Sequence, residues 1–303
     1  MDASARQHRL WARMVALAVW GTGAGLASFA SAASSQEPPP APQAAAVAAF
    51  EFVGTPDVLS PKIYLGRSIA ASRYPALVQS KGAGGACTAV LVGRRALLTA
   101  AHCLGGKTAV NLKKNGGLAL GFPPQGIDGK CDAHTDPAVD LAICRLDFPV
   151  SGVRFERVEL TTQWLAVNQE IRLVGFGCVT RDMAIDSEET FQEGETRIAV
   201  LPQDASNAAE TLGGVALCDG DSGGPGFWSV SGNYALRRVV SISSSVLTLT
   251  VNGKKYIDPS LRSRIVVLGS PPLATYLETW EREHADAGIC GVLTDSGEDD
   301  CRP

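Results

Sequence analysis

Histidine is scarce in this chain: His8, His102, His134 and His284 are the full set. Any histidine chemistry must come from one of these four. The net charge is −4 and no basic patch is present, so nothing points to a nucleic-acid partner. The one clear charge cluster, Glu298-Asp299-Asp300, is acidic and reads as a solvated tail. Beyond the N-terminal segment no run is long and apolar enough to span a bilayer, which argues against a stable membrane anchor. There is no Asn-x-Ser/Thr triplet, so N-glycosylation is not expected.

What is present is uneven along the chain. Residues 1–33 read as a secretory signal. Arg6, Arg9 and Arg13 precede an apolar, small-residue stretch from Met14 to Ala30, and Ala30-Ser31-Ala32 offers a cleavage site. Gly21, Thr22, Gly23 and Gly25 weaken the alternative of a membrane anchor. Residues 34–62 are rich in Pro, Ala and Gln, including Pro38-Pro39-Pro40, and read as a propeptide or linker. The remainder is long enough for one all-β enzyme domain with an ample core. Export places the chain outside the cytoplasm, secreted or periplasmic, where its eight cysteines imply disulfides.

Short, often β-branched runs bounded by Gly, Pro, Asn or Asp predict an antiparallel all-β fold. The candidate strands are 86–92, 96–99, 141–146, 170–176, 197–201, 226–230, 236–243, 247–251 and 265–268. Ser270-Pro271-Pro272 opens a helix, with serine as cap and proline in the first turn. Leu273, Tyr276, Leu277 and Trp280 form its packing stripe.

One stretch carries the chemistry: Gly220-Asp221-Ser222-Gly223-Gly224-Pro225. Glycines let the backbone turn sharply around an unhindered serine. The N–H groups of Gly220 and Ser222 can then converge as an oxyanion hole. The plain alternative is a glycine-rich turn. A serine hydroxyl is a weak nucleophile near neutral pH and needs a base. His102 ends the apolar run Leu97-Leu98-Thr99-Ala100-Ala101-His102-Cys103, and Asp140 opens Asp140-Leu141-Ala142-Ile143. The other histidines are poorer candidates. His8 lies in the signal, and His284 follows Glu281-Arg282-Glu283 on a charged, solvated helix face. His134, in Asp132-Ala133-His134-Thr135-Asp136, reads as a polar surface loop in preference to a metal site.

These three motifs, in the order His, Asp, Ser, resemble the trypsin/chymotrypsin family of serine endopeptidases, with T-A-A-H-C, D-I-A-L and G-D-S-G-G-P. The resemblance covers roughly Ile63 to Ala285. It implies a catalytic domain over 63–286, two six-stranded antiparallel β-barrels with a C-terminal helix, and an acidic tail over 287–303. It implies His102 as base, Asp140 as the group fixing its tautomer, and Ser222 as nucleophile, cleaving protein or peptide substrates through an acyl-enzyme without a cofactor or metal.

The resemblance also implies the bridge Cys87–Cys103 beneath the histidine. Cys131 and Cys144 could clip the aspartate loop, and Cys290 and Cys301 could close the tail. Cys178, in Gly175-Phe176-Gly177-Cys178, and Cys218 each lack their family partner. A direct Cys178–Cys218 bridge resolves both.

Family members begin their mature chain at a position resembling Ile63-Tyr64-Leu65-Gly66, after a basic residue, here Lys62. Cutting there would free an α-amino group to pair with Asp221. Leu65 departs from the family's glycine, and the alternative is a constitutive enzyme. Six residues before the serine the family places the base of its specificity pocket. Here that is Ala216, followed by Leu217, so the trypsin-type aspartate is missing. Ser241-Ile242-Ser243 matches the family's Ser-Trp-Gly wall, and Pro259-Ser260-Leu261-Arg262 its Pro-Gly-Val-Tyr. Ser243 and Ser260 would narrow the pocket, favouring small or medium uncharged side chains. A rival reading has Arg262 and the serines accept an acidic one. Either excludes cleavage after Lys or Arg, so a separate activating protease is implied. Two other function classes compete. A non-catalytic relative would serve as a binding module. An α/β-hydrolase would need its acid and histidine after the serine and alternating helices before it, which are not seen.

Overall fold

The computed structural model describes residues 63–82, 85–106, 109–113, 127–178, 180–183, 191–293 and 301. The signal, the 34–62 segment with Lys62, and Glu298-Asp299-Asp300 lie outside the described residues. No helix among the described residues is long and apolar enough to cross a membrane.

The first barrel is built from β2 (Leu77–Gly82), β3 (Gly85–Leu91), β4 (Ala96–Thr99), β5 (Ala109–Lys113), β6 (Ile127–Ala133) and β7 (Ala142–Leu146). It closes in the order β2-β3-β4-β7-β6-β5. The strands β3, β4 and β7 match sequence-predicted runs because they are largely apolar: β4 buries all four residues, and Leu91, Leu97, Ala142 and Leu146 meet inside. The strands β2, β5 and β6 carry polar residues and are not among the predicted runs. Cys131 and Cys144 sit directly opposite in the β6–β7 register and are bridged.

The second barrel uses β8 (Glu170–Gly175), β9 (Phe191–Val200), β10 (Ala208–Leu212), β11 (Pro225–Ser229), β12 (Arg237–Val246) and β15 (Ser263–Val267). The pairings run β8-β9-β10-β15-β12-β11 and return to β8, with β1 (Arg67–Ile69) added on the outer edge of β9. A small hairpin, β13 (Thr248–Val251) and β14 (Lys254–Ile257), stands between β12 and β15. Helix α1 (Pro271–Glu283) buries Leu273, Leu277 and Trp280, while Tyr276 is half-buried and donates from its hydroxyl to the Asp132 carbonyl at 2.8 Å.

Several details depart from the sequence reading. The β9 strand begins six residues before the run 197–201, because its first half, Phe191-Gln192-Glu193-Gly194-Glu195, is polar. Gln192 and Glu193 are nevertheless enclosed. Glu193, 1% exposed, takes Arg67, Arg73 and the Tyr74 hydroxyl, so its charge enters the wall fully partnered. Burial in particular raises the Tyr74 phenol, and its hydrogen bond to Glu193 adds to this. Ser270 precedes α1, but its hydroxyl donates to the Val267 carbonyl at 3.1 Å and caps nothing. His284 is half-buried, where the sequence suggested a solvated side chain: its ring stacks on Trp280 and Nδ1 meets the Trp280 carbonyl at 2.9 Å.

Candidate active site

The site forms where the two barrels face each other. From the first barrel comes His102, in the 3₁₀ turn Ala101–Leu104 that follows β4. The Cys87–Cys103 bridge ties that turn to β3. Asp140 stands just before β7. Its Oδ2 lies 2.7 Å from His102 Nδ1, and its Oδ1 accepts from the His102 backbone N–H at 2.9 Å. The second barrel adds Ser244, whose hydroxyl donates to Asp140 Oδ2 at 2.7 Å. Burial works to raise the Asp140 carboxyl, but the hydrogen bonds from His102 and Ser244 outweigh it and hold it below the usual range. The hydrogen bond to Asp140 raises the His102 imidazole against burial, and the negative charges of Asp140 and Asp219 add to that.

Ser222 arrives from the second barrel on the turn before β11. Gly220 has φ 99° and Gly223 φ 82°, a backbone region that side-chain-bearing residues rarely occupy. A Cβ on Gly223 would lie 2.3 Å from the Thr88 carbonyl oxygen, so the turn could not approach β3 with any other residue. Among the described residues the N–H groups of Gly220 and Ser222 donate to no backbone acceptor. Half-buried Ser222 donates from Oγ to the Ser244 carbonyl at 3.3 Å, and no hydrogen bond joins it to His102 among the described residues. Ligand-free sites often hold such bonds long or misaligned until substrate arrives. His102, Asp140, Ser222 and Ser244 line one cleft of about 360 Å³.

Thr88 fastens the two halves together. This β3 residue donates from Oγ1 to the Gly220 carbonyl at 2.8 Å and accepts there from the Phe176 N–H at 3.1 Å. Its own N–H donates to the Ser222 carbonyl. The Cys178–Cys218 bridge pins the same turn from the other side, and Cys178 N–H donates to the Asp219 carbonyl at 2.8 Å. Asp221 is fully buried, and its carboxylate accepts from Gly177 N–H at 2.6 Å and Cys218 N–H at 2.9 Å. Ile63 is buried in the second-barrel core at φ 54°, an unusual conformation for a β-branched residue. Next to it, the Tyr64 carbonyl accepts from Ala216 N–H at 3.2 Å.

The pocket wall runs differently from the sequence register. Ser241 and Ser243 are fully buried inside the second barrel, where their hydroxyls find no partner among the described residues. A bulge in the β12–β15 pairing between Ser243 and Ser245 re-aims the strand, so that Ser244, Ser245 and Val246 line the cleft instead. Counting from the serine misses this shift because spacing alone does not reveal a bulge. Leu217 lines the cleft; Ala216 is buried and Ser260 lies outside the lining. Arg262 pairs with Glu210 at 3.3 Å and does not line the cleft either.

No described residues offer a convincing metal site. Cys87, His102 and Cys103 lie close together, but the two sulfurs are bonded to each other and cannot act as thiolate ligands. His134 Nδ1 accepts from Asp136 N–H, and its ring meets Tyr276 edge-on. The fourth bridge, Cys290–Cys301, closes the C-terminal segment on itself.

Sequence reasoning had no signal for Thr88 or Ser244, whose roles depend on contacts across the barrels. A family model described as Trypsin matches residues 63–258. No curated protein matches the chain.

Proposed function

We propose, from the premise that this chain belongs to the trypsin family, that it is an exported serine endopeptidase with His102, Asp140 and Ser222 as its catalytic triad. The observation that carries this reading is the short His102–Asp140 contact, from one barrel, in the same cleft as Ser222, from the other. Ser222 Oγ gives its proton to His102 Nε2 and attacks the scissile carbonyl. The oxyanion is received by the N–H groups of Gly220 and Ser222. His102 then protonates the leaving amine, and water repeats the sequence to release the acyl group. Ionised Asp140 keeps the proton on Nδ1 and stabilises the imidazolium. Labelling by a serine-directed organophosphonate tests the reading. Modification of Ser222 and loss of peptide hydrolysis are expected; unlabelled, correctly processed protein would make it a binding module.

The reading extends to a zymogen cut at Lys62–Ile63. Ile63 is buried in the second-barrel core, and Tyr64 bonds Ala216 in the segment leading into the Ser222 turn, which supports this reading. A new α-amino group at Ile63 would pair with Asp221 and brace that turn. Full activity in a chain still carrying Lys62, by mass spectrometry, excludes this. For specificity, Ala216, buried behind the cleft, supplies no carboxylate there, and Leu217 and Val246 on the cleft walls disfavour Lys and Arg before the cut bond. Small or medium uncharged side chains should be preferred, so activation needs a separate protease. Comparing peptides ending in Ala, Val, Leu, Phe, Glu and Arg tests this, and preferred turnover of Arg refutes it.

A further inference from the structure

The cleft holding His102 and Ser222 carries opposite charges in two places. Asp219 lines it immediately before the Gly220–Ser222 turn, close enough for its charge to act on His102. Lys255, from β14, lines it as well. Lys255 is exposed and makes no ion pair among the described residues. Arg262, the cation that the sequence suggested for this role, is already committed to Glu210.

The hairpin presents Lys255 in a defined direction. Asn252 and Gly253 take φ 52° and 79°, as a two-residue turn between twisted strands requires. Thr248 is registered opposite Ile257, and Thr250 opposite Lys255. Side chains alternate along a strand, so Lys255 shares a face with Ile257, which is buried, and with Thr248, which also lines the cleft. Lys254 faces the other way.

We infer that Lys255 is a specificity-determining residue that selects an acidic side chain on the bound peptide, a few residues from the scissile bond. The inference rests on the peptidase reading above. An acidic side chain close to Ser222 meets the like charge of Asp219. An extended peptide advances about 3.3 Å per residue, so a side chain further along reaches the hairpin instead. There a flexible ammonium with three donors takes a carboxylate without demanding one geometry.

The test compares peptides that differ only by Glu or Gln at each of the positions flanking the scissile bond. At low salt, Glu should raise kcat/KM about threefold to tenfold at one position away from the cut bond, mainly through KM, and less at high salt. Lys255→Gln should bring the ratio near one, Lys255→Glu should reverse it in favour of a Lys peptide, and Lys255→Arg should restore most of it. A ratio near one at every position in the unmutated protein, or one unmoved by Lys255→Glu, overturns the inference. Organophosphonate labelling of the unmutated protein separately decides the peptidase reading. Should labelling fail, equilibrium binding of the same Glu and Gln peptides decides the role of Lys255: tighter binding of a Glu peptide, lost in Lys255→Gln, supports it, and equal binding overturns it.

Discussion

The two barrels solve the same packing problem in opposite ways. Among the described residues of its strands, the first barrel buries only Thr88 and Thr99 as polar side chains. Thr88 reaches out to the turn of the other barrel, and Thr99 donates to the Thr88 carbonyl. The second barrel buries Arg172, Gln192, Glu193, Arg237 and a row of hydroxyls that includes Ser241, Ser243 and Ser263. Most of its charges are paired: Arg237 with Glu156 in a fork at 2.5 and 3.0 Å, over the rings of Tyr74 and Phe227, and Arg172 with Glu195. The dry barrel holds His102 and Asp140, and the more polar one holds Ser222. Rigidity in the first comes from side-chain packing; in the second it rests in addition on its paired buried charges.

The largest test of that division is chemical. Ser222→Ala should cost on the order of 10⁶ in kcat, and His102→Ala a similar factor, so removing a group from either barrel is equally damaging. Asp140→Asn should cost about 10⁴ through the wrong tautomer. Steady-state hydrolysis of one peptide by all three variants checks both statements.

Stability separates the barrels next. Glu156→Ala strands the buried Arg237 guanidinium and should lower unfolding free energy by about 3–5 kcal/mol in urea titrations. In the dry barrel, Leu97→Ala should cost about 2–5 kcal/mol through a cavity, and added salt should not change that figure. A smaller effect is expected at the junction. Thr88→Val keeps the shape but leaves the Phe176 N–H and Gly220 carbonyl without that partner, costing about 1–3 kcal/mol, and should slow phosphonate labelling of Ser222.

The gentlest probe is pH. His102 must be neutral to act as base, and its pKa is raised. kcat/KM should therefore climb with pH through a midpoint above the ordinary histidine value of 6.5, and Asp140→Asn should lower that midpoint. Stability from the pair follows the opposite sign. It is fully present below 6.5 and fades as pH rises through the raised His102 value. On the acid side it fades as pH falls through the depressed Asp140 value.

The same contrast explains what could be read in advance. Strands such as Ala96–Thr99 and Ala142–Leu146 were legible because an apolar interior writes itself into the sequence. The strand β6 and the first half of β9 were not: in β6 Asp128, Lys130 and Asp132 face outward between Gly129 and Cys131, and in β9 the buried Glu193 relies on distant partners. The serine turn was legible from its glycines, since only glycine fits there. The pocket wall was not: a bulge at Ser244 shifts the register in a way that spacing cannot reveal.

The four bridges follow one another along the chain without overlapping: 87–103, 131–144, 178–218 and 290–301. Residues 1–86 contain no cysteine. A leader severed at Lys62–Ile63 would thus have no covalent tether and would diffuse away, so activation would be a one-way event that dilution makes permanent. A nick between Cys178 and Cys218 has the reverse outcome. Its two fragments stay joined, and the damage shows on a gel only after reduction.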